Sequence, residues 1–167
     1  MTALVNDFLA QHRIAVVGVS RHGSDHGANP VYRRLRDRGY AVFAVNPNAR
    51  TVEGDPAYPN LRSIPGGVDA VVIGTAPKHA DAIVRECEEL GITRVWMHRG
   101  MQPGSVSESA ADYCRERGMS VIAGSCPLMY GPTSDFSHRC MRWYLERTGA
   151  IPKDNWETPS VRAEVQP

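Results

Sequence analysis

No apolar run in the 167-residue chain approaches the roughly 20 residues of a membrane-spanning helix. The opening stretch, "MTALVNDFLAQHRIAVVG", lacks the basic region and apolar core of a secretion signal, so the cytoplasm is the expected compartment. The four cysteines, Cys87, Cys114, Cys126 and Cys140, form no C-x-x-C pair, and the six histidines form no H-E-x-x-H. Neither a zinc site nor any other metal site is expected, and the cysteines read as small buried residues of a reducing compartment. There is no P-loop G-x-x-x-x-G-K-[ST]. There is also no excess of one charge: 19 basic against 18 acidic residues leave +1, so no overall field draws in nucleic acid or an anionic membrane. Any anion site has to be local.

What is present is a recurring β-branched pattern. Short apolar runs lie at Ile14–Val17, Ala41–Val45, Ala70–Ile73, Arg94–Met97 and Ser120–Ala123. Each is nearly continuous, as in strands covered on both faces of a parallel sheet. Between them stand amphipathic patterns that stop at glycine: Val31 and Leu35 before Gly39, Ile83 to Leu90 before Gly91, and Val106 to Cys114 before Gly118. The stretch from Asn46 to Val68, rich in Pro, Gly and Asn, is expected to hold only a short turn near Leu61–Ile64. Alternating strands and helices predict an α/β fold, a Rossmann-like doubly wound parallel sheet of about five strands in a three-layer sandwich, with strand order 3-2-1-4-5. Residues 1–150 are expected to form the single domain and 151–167 an extended polar tail. A helix over Leu4–Leu9 is expected at one edge. A last helix near 134–147 is expected to turn Phe136, Cys140, Trp143 and Tyr144 inward, where they cover the sheet edge; a partner surface is the alternative use of those aromatics.

In such a sheet ligands bind beyond the carboxyl ends of the strands. The first loop, "GVSRHGSDHGANP", opens like the dinucleotide fingerprint G-x-G-x-x-G but carries Ser20 at the middle glycine. Gly18 permits a tight turn, Ser20 offers a hydroxyl and an N–H, Arg21 a forked cation, and the helix start near Asn29–Pro30 unpaired N–H groups. The same residues also make an ordinary capped helix start. The second strand ends in Asn46-Pro47, where an NAD site wants Asp or Glu for the ribose diol. Arg50 nearby suits a phosphorylated ribose, or is a plain surface arginine. Thr75, Ala76 and Pro77 leave room for a flat ring, or begin a helix. Met97, His98 and Arg99 follow the fourth strand. Cys126 follows the fifth, with no partner pattern that would activate it. No catalytic constellation is legible.

Taken together the loops resemble the CoA-binding domain family, whose members are similar to the N-terminal domain of the succinyl-CoA ligase α-subunit. The residues that carry the resemblance are "IAVVGVSR" (14–21), "GYAVFAVNPNA" (39–49), "GDPAYPNLRSIPGGVDAVVI" (54–73), "VWMHRG" (95–100) and "MSVIAGSCP" (119–127). The resemblance implies that Gly18, Val19, Ser20 and Arg21 hold the phosphates of coenzyme A. It implies that Asn46, Pro47 and Arg50 meet its 3′-phosphorylated ADP, that Thr75, Ala76 and Pro77 flank the adenine, and that Met97, His98 and Arg99 lie beside the ligand path. Ser20 then marks an intact site for a different ligand. Family members often carry lysine directly after "NP"; this chain has Asn48, with Arg50 as the substitute cation. The ligase's second domain and ATP-grasping partner have no counterpart, so the resemblance carries CoA or acyl-CoA binding without catalysis of its own. It leaves a homo-oligomer or another protein partner open. The competing expectation is an NADP-binding oxidoreductase, because NADP and CoA share an adenine and a phosphorylated ribose. Against it stand the missing glycines and the lack of room for a substrate domain.

Overall fold

The structure, a computed structural model, describes residues 2–22, 27–99, 104–131, 134 and 136–148. The five expected strands are present as β1 (Arg13–Val17), β2 (Ala41–Val45), β5 (Ala70–Ile73), β6 (Arg94–His98) and β7 (Ser120–Ser125). Two more, β3 (Thr51–Val52) and β4 (Asp55–Tyr58), form a hairpin inside the proline-rich stretch. A 3-10 turn, Leu61–Ser63, follows them where a short turn was expected.

The sheet therefore has seven strands, in the order β3-β4-β2-β1-β5-β6-β7. This corrects the expected order. The apolar run at 70–73 lies beside β1, with Val17 opposite Ile73, and not outside β2. The place beyond β2 is taken by β4, parallel to it through Ala44 opposite Ala57. Counting β4 as a strand restores the Rossmann-like sequence of neighbours that a five-strand reading assigned to the wrong segment. All pairs except β3 with β4 are parallel.

Helices cover both faces, giving the three layers. On one face lie α1 (Thr2–Leu9) and α2 (Ala28–Asp37), through Val5, Phe8, Val31, Tyr32 and Leu35. On the other lie α3 (Ala80–Glu89) and α4 (Glu108–Glu116), through Val84, Cys87, Ala110 and Cys114. Gly39, Gly91 and Gly118 follow α2, α3 and α4 with positive φ, as the stop pattern requires. Side chains of β6 alternate between the faces: Val95 and Met97 join the α3/α4 side, and Trp96 the α1/α2 side. Trp96 is fully buried, edge-on to Phe8 at 5.2 Å and tilted to Tyr130 at 5.7 Å. Arg94 grips Asp7 with two bonds, 2.7 and 3.2 Å, and so ties α1 to β6.

The last helix, α5 (Phe136–Arg147), differs from expectation. Phe136 is 80% exposed, Trp143 59% and Tyr144 57%, and Cys140 is exposed too. The aromatic stripe does not turn inward, because the inner layer is already filled by α1, α2 and the 3-10 turn Pro127–Met129. Instead the Arg142 guanidinium lies 4.7 Å above the Tyr130 ring. Cys87, Cys114 and Cys126 are buried as expected. Among the described residues no helix is long and apolar enough to cross a membrane. The expected tail, 151–167, lies outside the described residues.

Candidate functional site

The carboxyl ends of β1, β2 and β5 finish level with one another, because Val17 stands opposite both Val45 and Ile73. The chain then turns sharply. Gly18 donates its N–H to the Val45 carbonyl at 2.9 Å, and Gly74 donates to the Val17 carbonyl at 2.8 Å. Gly18 has φ +95°, and a Cβ there would meet the Thr75 methyl at 2.8 Å. Only glycine fits both the conformation and the gap. Gly74 is restricted by packing alone: a Cβ would sit 2.6 Å from the Ala28 Cβ and 3.1 Å from the Val17 carbonyl oxygen.

This contact sets how closely α2 approaches the sheet. Gly74→Ala is expected to destabilise the fold by about 1–3 kcal/mol, the usual cost of forcing a methyl into a packed gap. Ala28→Gly added to it should recover part of that loss, which a double-mutant cycle in urea will measure.

Beyond Gly18 the loops after β1 and β2 hold each other. Asn46 donates from Nδ2 to the Val19 carbonyl at 2.8 Å, and its Oδ1 accepts from the Asn48 N–H at 2.8 Å. The Arg21 guanidinium donates to the Asn48 carbonyl at 3.3 Å. Gly18, Ser20, Arg21, Asn46 and the exposed Pro47 thus form one rim, with the exposed Arg50 farther along the β2 loop. Thr75, Ala76 and Pro77 continue it after β5; Ala76 and Pro77 are exposed, and Pro77 starts a 3-10 turn into α3. The Thr75 hydroxyl is buried and has no hydrogen-bond partner, so this end of β5 carries an unspent polar group beside Gly18.

Two expected site residues contribute no side chain to this rim. Val19 is fully buried in the α1/α2 core, and Met97 is fully buried in the α3/α4 core. Ser20 also differs from expectation. Its N–H is already taken by the Asn29 Oδ1 at 2.8 Å, and its hydroxyl accepts from the His22 N–H at 3.1 Å. Arg99 is exposed, and its N–H is held by the Ser125 carbonyl at 3.0 Å.

His98 is 8% exposed at the end of β6. Its ring lies against the start of α2, where a Cβ on Gly27 would be 3.0 Å from the imidazole Cε1. Burial, with His138 nearby, pushes its pKa down to about 4, so at neutral pH it is an uncharged imidazole. Among the described residues the exposed cations of these loops include Arg21, Arg50, Lys78 and Arg99, and His98 is not one of them. The N-cap of helix α2 is Gly27, which has no side chain to cap the first turn.

The side-chain roles of three residues at this site are marked by no motif: Asn29, which the sequence places only at a helix start, Glu53 and Gly74. Asn29 is fully buried and also donates to Glu53 at 2.6 Å. Its one sequence trace is a polar residue sharing the buried side of α2 with Tyr32, one turn on. Arg33 meets the same Glu53 carboxylate at 2.8 Å. Next to them Asp55 accepts from Tyr32 at 2.9 Å and pairs with Arg36, which holds its carboxyl below the ordinary range. Helix α2 is thereby pinned to the β3–β4 hairpin.

A family model described as a CoA binding domain matches residues 12–132. An uncharacterized protein of Bacillus subtilis (strain 168) is 30% identical over 114 residues, which are 68% of this chain and 81% of that protein. Subunit alpha of the ADP-forming acetate–CoA ligase II of Pyrococcus furiosus is 27% identical over 130 residues; the match takes in 74% of this chain but 28% of the ligase subunit. Among solved structures, a hypothetical protein from Pyrococcus horikoshii OT3 superimposes with a TM-score of 0.69 at 26% identity, covering 77% of this chain and 87% of that one. The matched segment begins just before β1 and runs through every rim loop to the turn after β7; the chain belongs to the CoA-binding domain family.

Proposed function

We propose that the protein binds coenzyme A, free or as an acyl-CoA, along the carboxyl ends of β1, β2, β5 and β6, and performs no reaction of its own. The observation that carries this reading is the span of the family match, which includes all the loops of the rim. The residues present fit such a ligand. The N-cap of α2, Gly27, which is exposed and has no side-chain cap, and the exposed Arg21 suit a diphosphate, which takes N–H donors and a forked cation. The Asn46-Pro47 end of β2 offers no carboxylate to a ribose diol, and Arg50 follows for a ribose phosphate. Exposed Ala76 and Pro77 give a flat apolar edge for adenine, and the unspent Thr75 hydroxyl lies at the foot of that edge.

The ligase relative bears on the role. The match takes in 28% of that subunit; in our reading the domain presents CoA, and acyl transfer is carried out elsewhere. Thermal unfolding with CoA, acetyl-CoA and NADPH in parallel tests the ligand. At ~100 times Kd a ligand adds about 2.7 kcal/mol. For a chain of this size that raises Tm by roughly 5–10 °C. A shift with CoA or acetyl-CoA is the expected result. A shift with NADPH alone would replace this reading with an NADP-dependent oxidoreductase, and no shift with CoA or acetyl-CoA rejects it.

A further inference from the structure

Glu53 stands where a glutamate is unexpected. It occupies the turn between β3 and β4 with φ +51°, followed by Gly54 at φ +84°. Tight turns with two positive φ values favour Asn, Asp and Gly, because a longer L-residue crowds its own backbone there. The side chain is 14% exposed, and its Oε1 takes both of its hydrogen bonds from outside the hairpin. It accepts from Asn29 Nδ2 at 2.6 Å and from Arg33 at 2.8 Å.

Asn29 converts that carboxylate into an instruction for the first loop. Its side-chain amide makes three bonds: Oδ1 accepts the Ser20 N–H at 2.8 Å, and Nδ2 donates to the Ser20 carbonyl at 2.7 Å and to Glu53. The Ser20 N–H and carbonyl fix which end of the amide faces them, and an ionised carboxylate, which accepts only, reinforces the same orientation by taking the second Nδ2 hydrogen. Glu53 thus anchors Asn29 from behind while Asn29 holds Ser20. Both backbone groups of Ser20 are then clamped, and Arg21 follows directly.

We infer that Glu53 is a positioning residue for the ligand: through Asn29 it holds the Ser20–Arg21 loop in its receiving form, which makes the β3–β4 hairpin part of the binding apparatus. The inference rests on the reading that this rim binds CoA. A residue strained in its own turn yet committed to a distant loop marks function better than local stability.

The substitution Glu53→Gly separates the two roles, because glycine relieves the turn while deleting the carboxylate. The expected result has three parts. Tm changes little, because relief of the turn offsets the lost hydrogen bonds. Exchange of the Ser20 amide quickens about tenfold, while exchange at Val16 and Val72 in the central strands is unchanged. The Kd for CoA weakens about tenfold, as for loss of one charge-assisted hydrogen bond. Glu53→Gln keeps an acceptor for Asn29 and should stay within about threefold of the parent. Glu53→Asn suits the same backbone without glycine's freedom but is one methylene shorter; it should repeat the glycine result, and parental exchange and Kd in it would assign the glycine effect to a loosened hairpin and overturn the inference. Parental Ser20 exchange and parental Kd in Glu53→Gly would overturn the inference. If the parent protein binds no CoA, the functional reading falls, and Ser20 exchange alone still decides whether Glu53 governs the loop.

Discussion

Trp96→Ala is expected to destabilise the protein by about 3–5 kcal/mol, the range for emptying a buried tryptophan site. That is a large part of the ~5–15 kcal/mol that separates folded from unfolded states in ordinary domains. The side chain is fully buried, between Phe8 of α1 and Tyr130 of the turn after β7. Its removal takes the support from α1 and from that turn together. The indole also donates to the Ser125 carbonyl at 3.0 Å. Trp96→Phe should be much milder, because the ring is largely restored and the Ser125 carbonyl still accepts from the Arg99 N–H. Urea midpoints for the two variants check both statements; equal losses would mean that the hydrogen bond outweighs the packing. The same carbonyl links Trp96 to Arg99, so the alanine variant should also disturb the rim after β6.

Lowering the pH from neutral should cost stability through His98. His98 has a pKa of about 4 in the folded protein, against about 6.5 in an unfolded chain. The unfolded chain therefore binds the proton first. The stability that neutral His98 permits is fully present above about pH 6.5 and is lost as the pH falls towards 4. The total is on the order of 3 kcal/mol. Glu53 and Asp55, held below the ordinary carboxylate range by Asn29 and by Arg36, lose their contributions only at lower pH. His98→Gln should flatten the dependence of the urea midpoint between pH 4.5 and 6.5. An unchanged slope in that variant would assign the dependence to other groups.

The five long strands were legible because each is an almost unbroken apolar run, the mark of a strand covered on both faces. The hairpin was not. Strand β3 has two residues, and β4 contains Pro56 and borders Pro59, so neither shows a period. Missing β4 displaced the segment 70–73 in the expected strand order, since a place beyond β2 had to be filled. At the site, the glycine, serine and asparagine that open the rim loops were readable from their order along the chain. Asn29 and Glu53 were not, because each acts on a residue nine or more positions away across a turn. Ser20 opens the loop after β1, but its N–H has an internal partner, which no local pattern reveals. On α5 the periodic aromatic stripe exists, but the layer beneath it has no vacancy, and a helical period does not say whether a partner surface is left to meet it.

The hairpin also decides how the sheet ends. A parallel sheet with a long open margin is a template on which a neighbouring molecule can add a strand. Here the outermost strand on one side is β3, only two residues long, paired to a strand whose Pro56 has no N–H to offer. A foreign strand arriving there finds too few amide groups to hold it. On the other side β7 passes through Gly124 at φ +97°, a conformation that breaks the regular pleat before the strand closes. The segment that ties down the loop after β1 thus also blunts a margin of the sheet, so a change made there to loosen that loop acts at the same time on self-association.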